Sequence, residues 1–304
     1  MLDIPGATRQ TLFGGSVLLR AYGKYYPDIS GKLEVQDWAL RSFRKNGDAK
    51  KDHSVTKYLP EIGRQIESKI FLAPSPKMSN TKICTASELT EHIGITSPIY
   101  ENSAWLWRGA DADGIVVGKG DAVVISPGGC PAFAVLDEER GMLGIGHGSR
   151  DALIDHSRIR RKWLRDRIAE PREHESVVDS LLKAMYIKSN ADAKRLQVCI
   201  AFPINPAIFT HPWKSVLYGK LNRARSEDLA FRGFAQALPG FDDKKLREEG
   251  RLDLGILASL QFQSHGVSEQ NITILDAPGE DVWYTTRSTH GDETQRDVTI
   301  FKYL

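Results

Sequence analysis

At 304 residues, with 41% hydrophobic and 26% charged residues, the chain has the composition of a globular protein and the length for one large domain or two ordinary ones. Lys+Arg of 41 against Asp+Glu of 39 leaves a net charge of +2, so the chain as a whole has no electrostatic reason to seek nucleic acid or an anionic membrane. Its three cysteines, Cys84, Cys130 and Cys199, lack CxxC or CxxH spacing, which excludes a disulfide framework and a zinc finger and points to a reducing compartment.

In chain order, MLDIPGATRQ carries no basic segment followed by an apolar core, and nowhere do 18 apolar residues run together. The expectation is a cytoplasmic protein that neither is secreted nor spans a membrane. FGGSVLLRAYGKYY is an apolar start, and RSFRKNGDAKKD resembles a loop whose Lys45, Lys50 and Lys51 are solvated surface. Ile62, Ile66 and Ile70 at helical spacing predict a short amphipathic helix closed by Pro74 and Pro76, and Ser87 to Glu91 carries helix-start signals.

From Trp105 the texture changes to short apolar runs separated by Gly, Pro and Asp. Three strands are predicted, over Ala122 to Ile125, Ala132 to Leu136 and Met142 to Ile145. SRDALIDHSRIRRKWLRDRIAEP reads as one long helix with a basic solvent face. ESVVDSLLKAMYI reads as an amphipathic helix packing Val177, Leu181 and Met185 on a sheet, and LQVCIAFPINP as a buried strand with Cys199 in the core. RLDLGILASLQFQSHGV predicts a helix with Leu252, Ile256 and Leu260 in register, stopped at Gly266. NITILDA, VWYTTR and DVTIFKYL read as strands. The alternation implies an α/β, or mixed α+β, protein of layered sheets flanked by helices.

Chemistry concentrates at Cys130, just before the second of the three strands, and His147, just after the third. A hairpin returns the chain between them, so the two side chains come near each other, with Gly128, Gly129, Gly146 and Gly148 leaving room for a ligand or a close backbone approach. A thiol beside an imidazole supports metal ligation or a Cys-His nucleophile and base. The plain alternative is a buried small hydrophobe and a satisfied polar group.

These residues resemble the laccase-domain (YfiH-like) family, also called polyphenol oxidases, purine nucleoside phosphorylases and peptidoglycan editing factors. The resemblance rests on Ala112-Asp113-Gly114, Gly129-Cys130-Pro131 leading to Leu136-Asp137, and Gly146-His147-Gly148-Ser149-Arg150, all in the family's order. Downstream, Phe202-Pro203-Ile204-Asn205-Pro206 resembles the family's Gly-Pro-x-Ile-x-Pro turn, Asp253-Leu254 through Gly266-Val267 its Asp-Leu helix, and Tyr284-Thr285-Thr286-Arg287 its closing Tyr-Ser-x-Arg strand. The likeness covers roughly Trp105 to Leu304. Tyr100 stands where the family has its first metal-ligating His, the family's Trp-Arg after the His phrase is replaced by Ser149-Arg150, and its N-terminal Ser-Thr-Arg-x-Gly-Gly phrase is not evident.

The resemblance implies a fold of the YfiH-like or cytotoxic-necrotizing-factor-like kind, with residues 1–90 a region of uncertain role packed on a main domain of residues 91–304. It implies an enzyme acting on purine nucleosides, by phosphorolysis or deamination, with nucleoside and phosphate as small-molecule partners. Cys130 and His147 would be both catalytic residues and metal ligands, the metal being zinc rather than copper, with His92 a candidate substitute for the missing ligand. Tyr100, Arg150, Asn205 and Arg287 would contact substrate. Two further readings remain open: a metal-free Cys-His hydrolase or deamidase, and a degenerate, non-catalytic member with a binding role.

Overall fold

The computed structural model describes residues 4, 6–27, 30–35, 58–66, 70–72, 81–89, 91–95, 104–108, 112–127, 129–154, 175–207, 216–279, 283 and 297–304. The first strands are β1 (Thr8–Leu12), β2 (Val17–Tyr22), β3 (Tyr25–Pro27), β4 (Leu33–Val35), β5 (Ile70–Leu72), β6 (Ile83–Thr85), β7 (Glu91–Ile95) and β8 (Ala104–Arg108). They are followed by β9 (Gly114–Gly118), β10 (Ala122–Ile125), β11 (Ala132–Asp137), β12 (Met142–His147), β13 (Gln197–Ala201), β14 (Ile272–Leu275) and β15 (Val298–Tyr303). The helices are α1 (Leu59–Ile66), α2 (Arg150–Ile154), α3 (Val177–Ala184), α4 (Asn190–Lys194), α5 (Val216–Phe231), α6 (Phe234–Ala237), α7 (Asp243–Glu249) and α8 (Leu254–Ser264).

Two mixed sheets carry the fold, a seven-stranded one ordered β1-β2-β15-β10-β5-β8-β7 and a six-stranded one ordered β14-β13-β11-β12-β9-β6. Side-chain alternation sorts their residues into layers. Ile115, Val117, Ala132, Ala134, Leu136, Leu143, Ile145 and Cys199 of the six-stranded sheet meet Val17, Leu19, Val123, Ile125, Phe301 and Tyr303 of the seven-stranded one in the core between the sheets. The opposite faces of the same strands turn Val116, Phe133, Val135, Val198 and Ile200 toward α2, α3, α5 and α8. On the far side of the seven-stranded sheet, Ala122, Val124 and Ile300 pack on Tyr58, Ile62 and Ile66 around α1. The order is helices, sheet, sheet, helix, the layered architecture expected. Strands from the first 90 residues, β1, β2 and β5, share a sheet with β10 and β15.

The three predicted central strands are β10, β11 and β12, and the predicted helix over ESVVDSLLKAMYI is α3, opened by a capping box in which Ser176 and Asp179 exchange hydrogen bonds. Three readings change. The helix start expected over Ser87 to Glu91 does not form: Thr85 and Glu88 cap a single 3-10 turn, Ala86–Glu88, after which Leu89 is extended and Glu91–Ile95 is a strand. Ile93 and Ile95 flank a glycine there, a combination poor in helix and at home across from β8. Ile70 is not a third helical turn but the first residue of β5, since the helix stops at Ile66. In α8 the most buried residues are Leu254, Leu257, Ala258, Gln261 and Phe262, one position off the predicted row, and Leu252 precedes the helix. The stop at Gly266 holds, with φ of 94°. Lys45, Lys50 and Lys51, the basic continuation of SRDALIDHSRIRRKWLRDRIAEP beyond Ile154, and VWYTTR apart from Trp283 lie outside the described residues.

Candidate functional site around Cys130 and His147

The segment between β10 and β11 carries the chain from one sheet to the other. Ser126 donates to the Asp297 carbonyl at 2.9 Å, fixing the exit from β10. Gly129 then turns through φ of 90°, and its carbonyl accepts the Ile204 amide at 2.9 Å. A Cβ on Gly129 would sit 3.1 Å from Ile204 Cδ1, so glycine is needed here both for its backbone conformation and for the close approach. Cys130 follows and is half-buried.

β11 and β12 form the hairpin that the spacing predicts. Ala132 pairs with His147, the Gly148 amide donates to the Pro131 carbonyl at 2.8 Å, and the His147 amide donates to the Asp113 carbonyl at 2.7 Å. Cys130, two residues before Ala132, and His147 therefore stand at the same end of the six-stranded sheet. Leu143 and Ile145 of β12 point into the core between the sheets, and alternation puts His147 on that side too. His147 is, like Cys130, only partly buried.

The glycines on β12 and just after it serve packing instead of leaving room for a ligand. A Cβ on Gly148 would collide with the Phe133 ring, one on Gly146 would come within 3.2 Å of Phe133 Cδ2, and one on Gly144 would lie 2.5 Å from Met185 Sδ. All three face the helix layer, where Phe133 meets Phe262 edge-on at 5.7 Å.

After His147, helix α2 is pinned at both ends. Ser149 accepts the Ala152 amide at 3.0 Å, the buried Arg225 guanidinium donates to Asp151 at 3.2 Å, and the buried Gln261 amide donates to the Leu153 carbonyl at 2.7 Å. Asp113, 1% exposed, accepts the Thr81 amide at 2.7 Å while its own carbonyl holds His147. Spacing alone had not singled out Arg225 or Gln261, because their partners lie 74 and 108 residues away.

Of the other predicted site residues, Arg150 is the first residue of α2 and is buried, only 3% exposed. Asn205 is exposed and its Oδ1 accepts the Ala207 amide at 2.8 Å, closing its own turn. Tyr100 and Arg287 lie outside the described residues, as does the side chain of His92. Among the described residues no group of three or more His, Cys, Asp and Glu side chains converges as a metal site requires. A catalytic zinc takes three protein ligands; Cys130 and His147 supply two, and on the described residues the donor set does not fit that metal.

Cys84 and Cys199 are core residues between the sheets. Burial pushes both thiols up to about 12, so they are inert at neutral pH. Cys130 is the half-exposed member of the three.

One backbone feature beside the site is absent from the sequence reading. Phe202, standing where the resemblance has Gly, adopts φ of 57°, a conformation that bulky side chains avoid. It lies between β13 and the Pro203-Ile204 segment that bonds Gly129.

The sequence matches no protein-family model and no curated protein. Its fold is found among solved structures. Protein NMB0706 of Neisseria meningitidis, described under the family model DUF152, superimposes with a TM-score of 0.57 over 98% of this chain and 99% of its own, at 12% identity. YlmD of Geobacillus stearothermophilus does so with a TM-score of 0.53 over 98% of this chain and 92% of its own, at 14% identity. A hypothetical protein of Bacillus licheniformis, YfiH, aligns over 95% of this chain with a TM-score of 0.49 and 12% identity. The chain has the fold of the first two along nearly its whole length, residues before 91 included.

Proposed function

We propose that this protein is a divergent laccase-domain (YfiH-like) enzyme whose working centre is Cys130 and His147 and whose substrate is a purine nucleoside. The observation that carries the reading is the β11–β12 register, which puts a partly buried thiol and a partly buried imidazole at one end of one sheet. The shared fold supports it, and the substrate class is what the resemblance to the laccase-domain family implies.

Phosphorolysis joins a phosphate oxygen to C1′ of the ribose and breaks the bond from C1′ to the purine nitrogen. Deamination adds water at the amino-bearing purine carbon and releases ammonia. In both, a proton must reach the departing nitrogen, and His147 is the group that can hold and deliver one. A zinc ion, where bound, would supply Lewis acidity and an activated water; with two donors among the described residues, no step here is routed through it.

That same donor count favours a second reading, in which Cys130 is a nucleophile and His147 its base. The thiolate would attack an amide carbonyl, the C–S bond forming as ammonia leaves with a proton from the imidazolium, and water would then release the acid.

The experiment is metal content and nucleoside turnover, measured on untagged wild type and Cys130→Ala side by side. Near-stoichiometric zinc and turnover, both lost in the variant, would establish the metal reading and require a third ligand. Metal in neither, with thiol alkylation that depends on His147, would move the assignment to the thiol reading. Full nucleoside turnover by Cys130→Ala would sink both.

A further inference from the structure

We propose that Phe202 is the positioning residue of the Cys130 loop: its left-handed backbone, clamped by Trp283, fixes the hydrogen bond from Ile204 to Gly129 and with it where Cys130 stands. The inference rests on the reading of Cys130 and His147 as the working centre. It adds a residue that acts through Ile204 and Gly129.

Four contacts define the device. The Phe202 amide donates to the Leu275 carbonyl at 2.8 Å, tying the turned residue to the end of β14. Its ring lies 4.7 Å from that of Trp283 at an interplanar angle of 59°, and each residue is 4% exposed. Trp283 Nε1 donates to the Gly6 carbonyl at 2.7 Å, so the clamp is anchored to the N-terminal segment. Two residues beyond Phe202, the Ile204 amide bonds the Gly129 carbonyl at 2.9 Å, and Ile204, 2% exposed, fills the space where a Gly129 side chain would be.

The other side of the loop is backed by α8. A Cβ on Gly255 would come within 2.9 Å of Pro203, so the start of that helix lies hard against the turn. A change of the Phe202 backbone would therefore have to break its amide bond to Leu275 and draw its ring from Trp283. Strain of this kind persists where the surroundings over-determine it, and it gathers next to working sites. Here the residue under strain stands two before Ile204, whose amide bonds the carbonyl of Gly129, the residue preceding Cys130.

The test uses the full-length protein and two readouts. Hydrogen exchange of the Ile204 amide reports the loop directly. Timed iodoacetamide modification of the folded protein reports Cys130, because Cys84 and Cys199 are buried and unreactive. Phe202→Gly keeps the backbone conformation and removes the ring, Phe202→Tyr keeps the ring, and His147→Ala gives the alkylation rate of an uncoupled thiol.

In Phe202→Gly, exchange at Ile204 should quicken by about two- to tenfold, the factor that loss of an aromatic pair contact represents. The Cys130 rate should move toward that of His147→Ala, while Phe202→Tyr stays with wild type. Unchanged exchange and an unchanged Cys130 rate in Phe202→Gly would overturn the proposal, whatever happens to the melting temperature. If His147→Ala alkylates like wild type, the Cys130–His147 centre itself fails, and Ile204 exchange alone then judges Phe202. Should Phe202→Gly not fold, Trp283→Phe, which keeps a ring but drops the bond to Gly6, replaces it with the same expectations.

Discussion

The two ends of the β11–β12 hairpin are built on opposite principles. At the turn end Asp137 is fully buried and gripped by Arg195, whose Nε and Nη2 donate at 3.1 and 2.9 Å, with Arg140 at 3.6 Å. Both arginines reach on to Asp192, and Arg140 also donates to the Tyr186 carbonyl at 3.1 Å, so the turn is tied to the end of α3 and to α4. At the other end, Cys130 and His147 are held in place through backbone bonds, from Gly148 to Pro131, from His147 to Asp113 and from Ile204 to Gly129. A hairpin anchored by charge at one end can present reactive groups at the other without staking its stability on them.

If that division is correct, the largest loss of stability comes from the turn end. Asp137→Ala removes the carboxylate on which two guanidinium groups converge and leaves Arg195 partly buried without it. Breaking such a pair costs about 3 kcal/mol. Urea unfolding should show this as a fall in the midpoint at constant slope, while the Cys130 alkylation rate of the folded variant stays at the wild-type value. A variant that kept its stability but altered the thiol would reverse the assignment of the two ends.

Gly148→Ala probes the site end and should cost less, about 2 kcal/mol, the range for forcing extra volume into a packed core. The new methyl group would meet the Phe133 ring, and Phe133 cannot swing away because Phe262 stands edge-on behind it. The loss here comes from shape, where at the turn end it comes from charge, and a second substitution separates them. Arg195→Ala should cost less in the Asp137→Ala background than in wild type and its full amount beside Gly148→Ala; equal costs in the two backgrounds would defeat the distinction.

The chain itself discloses these two ends unequally. β10, β11 and β12 are legible because β-branched runs bounded by Gly, Pro and Asp leave little else for them to be, and hairpin arithmetic alone puts Cys130 and His147 at one end of the sheet. Which sheet each strand enters is not legible. β10 and β11 look alike in sequence, yet β10 pairs with residues 70–72 and 299–302 and β11 with 142–147 and 197–201, choices made by partners far along the chain. The signal over Ser87 to Glu91 misled because the cap that forms, Thr85 with Glu88, fixes one turn and says nothing of the next. The wrong row in α8 has a similar origin, since that helix is buried on most of its circumference and its apolar residues mark no single face. Phe202 was hidden for the opposite reason: the sequence marks a turn over Phe202 to Pro206, but an aromatic side chain argues for extended backbone there and gives no sign of the left-handed conformation. Asp137 sat in plain view as the end of an apolar run, but its importance depends on Arg195, 58 residues away.

The smallest effect expected is one that acid exerts on the turn end alone. Asp192 is held down to about 2, first by the Ser189 hydroxyl, then by Arg195, and further by the Lys188 amide and Arg140. A carboxyl group whose folded value lies below its ordinary 3.8 binds protons more readily unfolded than folded. Its contribution to stability is therefore complete above pH of about 4 and disappears as the pH falls toward 2. Melting temperatures of wild type and Asp192→Asn should differ at neutral pH, wild type higher, and converge across that window. Cys130 and His147 take no part in this cluster, so Asp192→Asn should leave their chemistry at neutral pH untouched; a variant that lost nucleoside turnover there would mean that the two ends of the hairpin are coupled, and that the rigidity of the turn reaches the site.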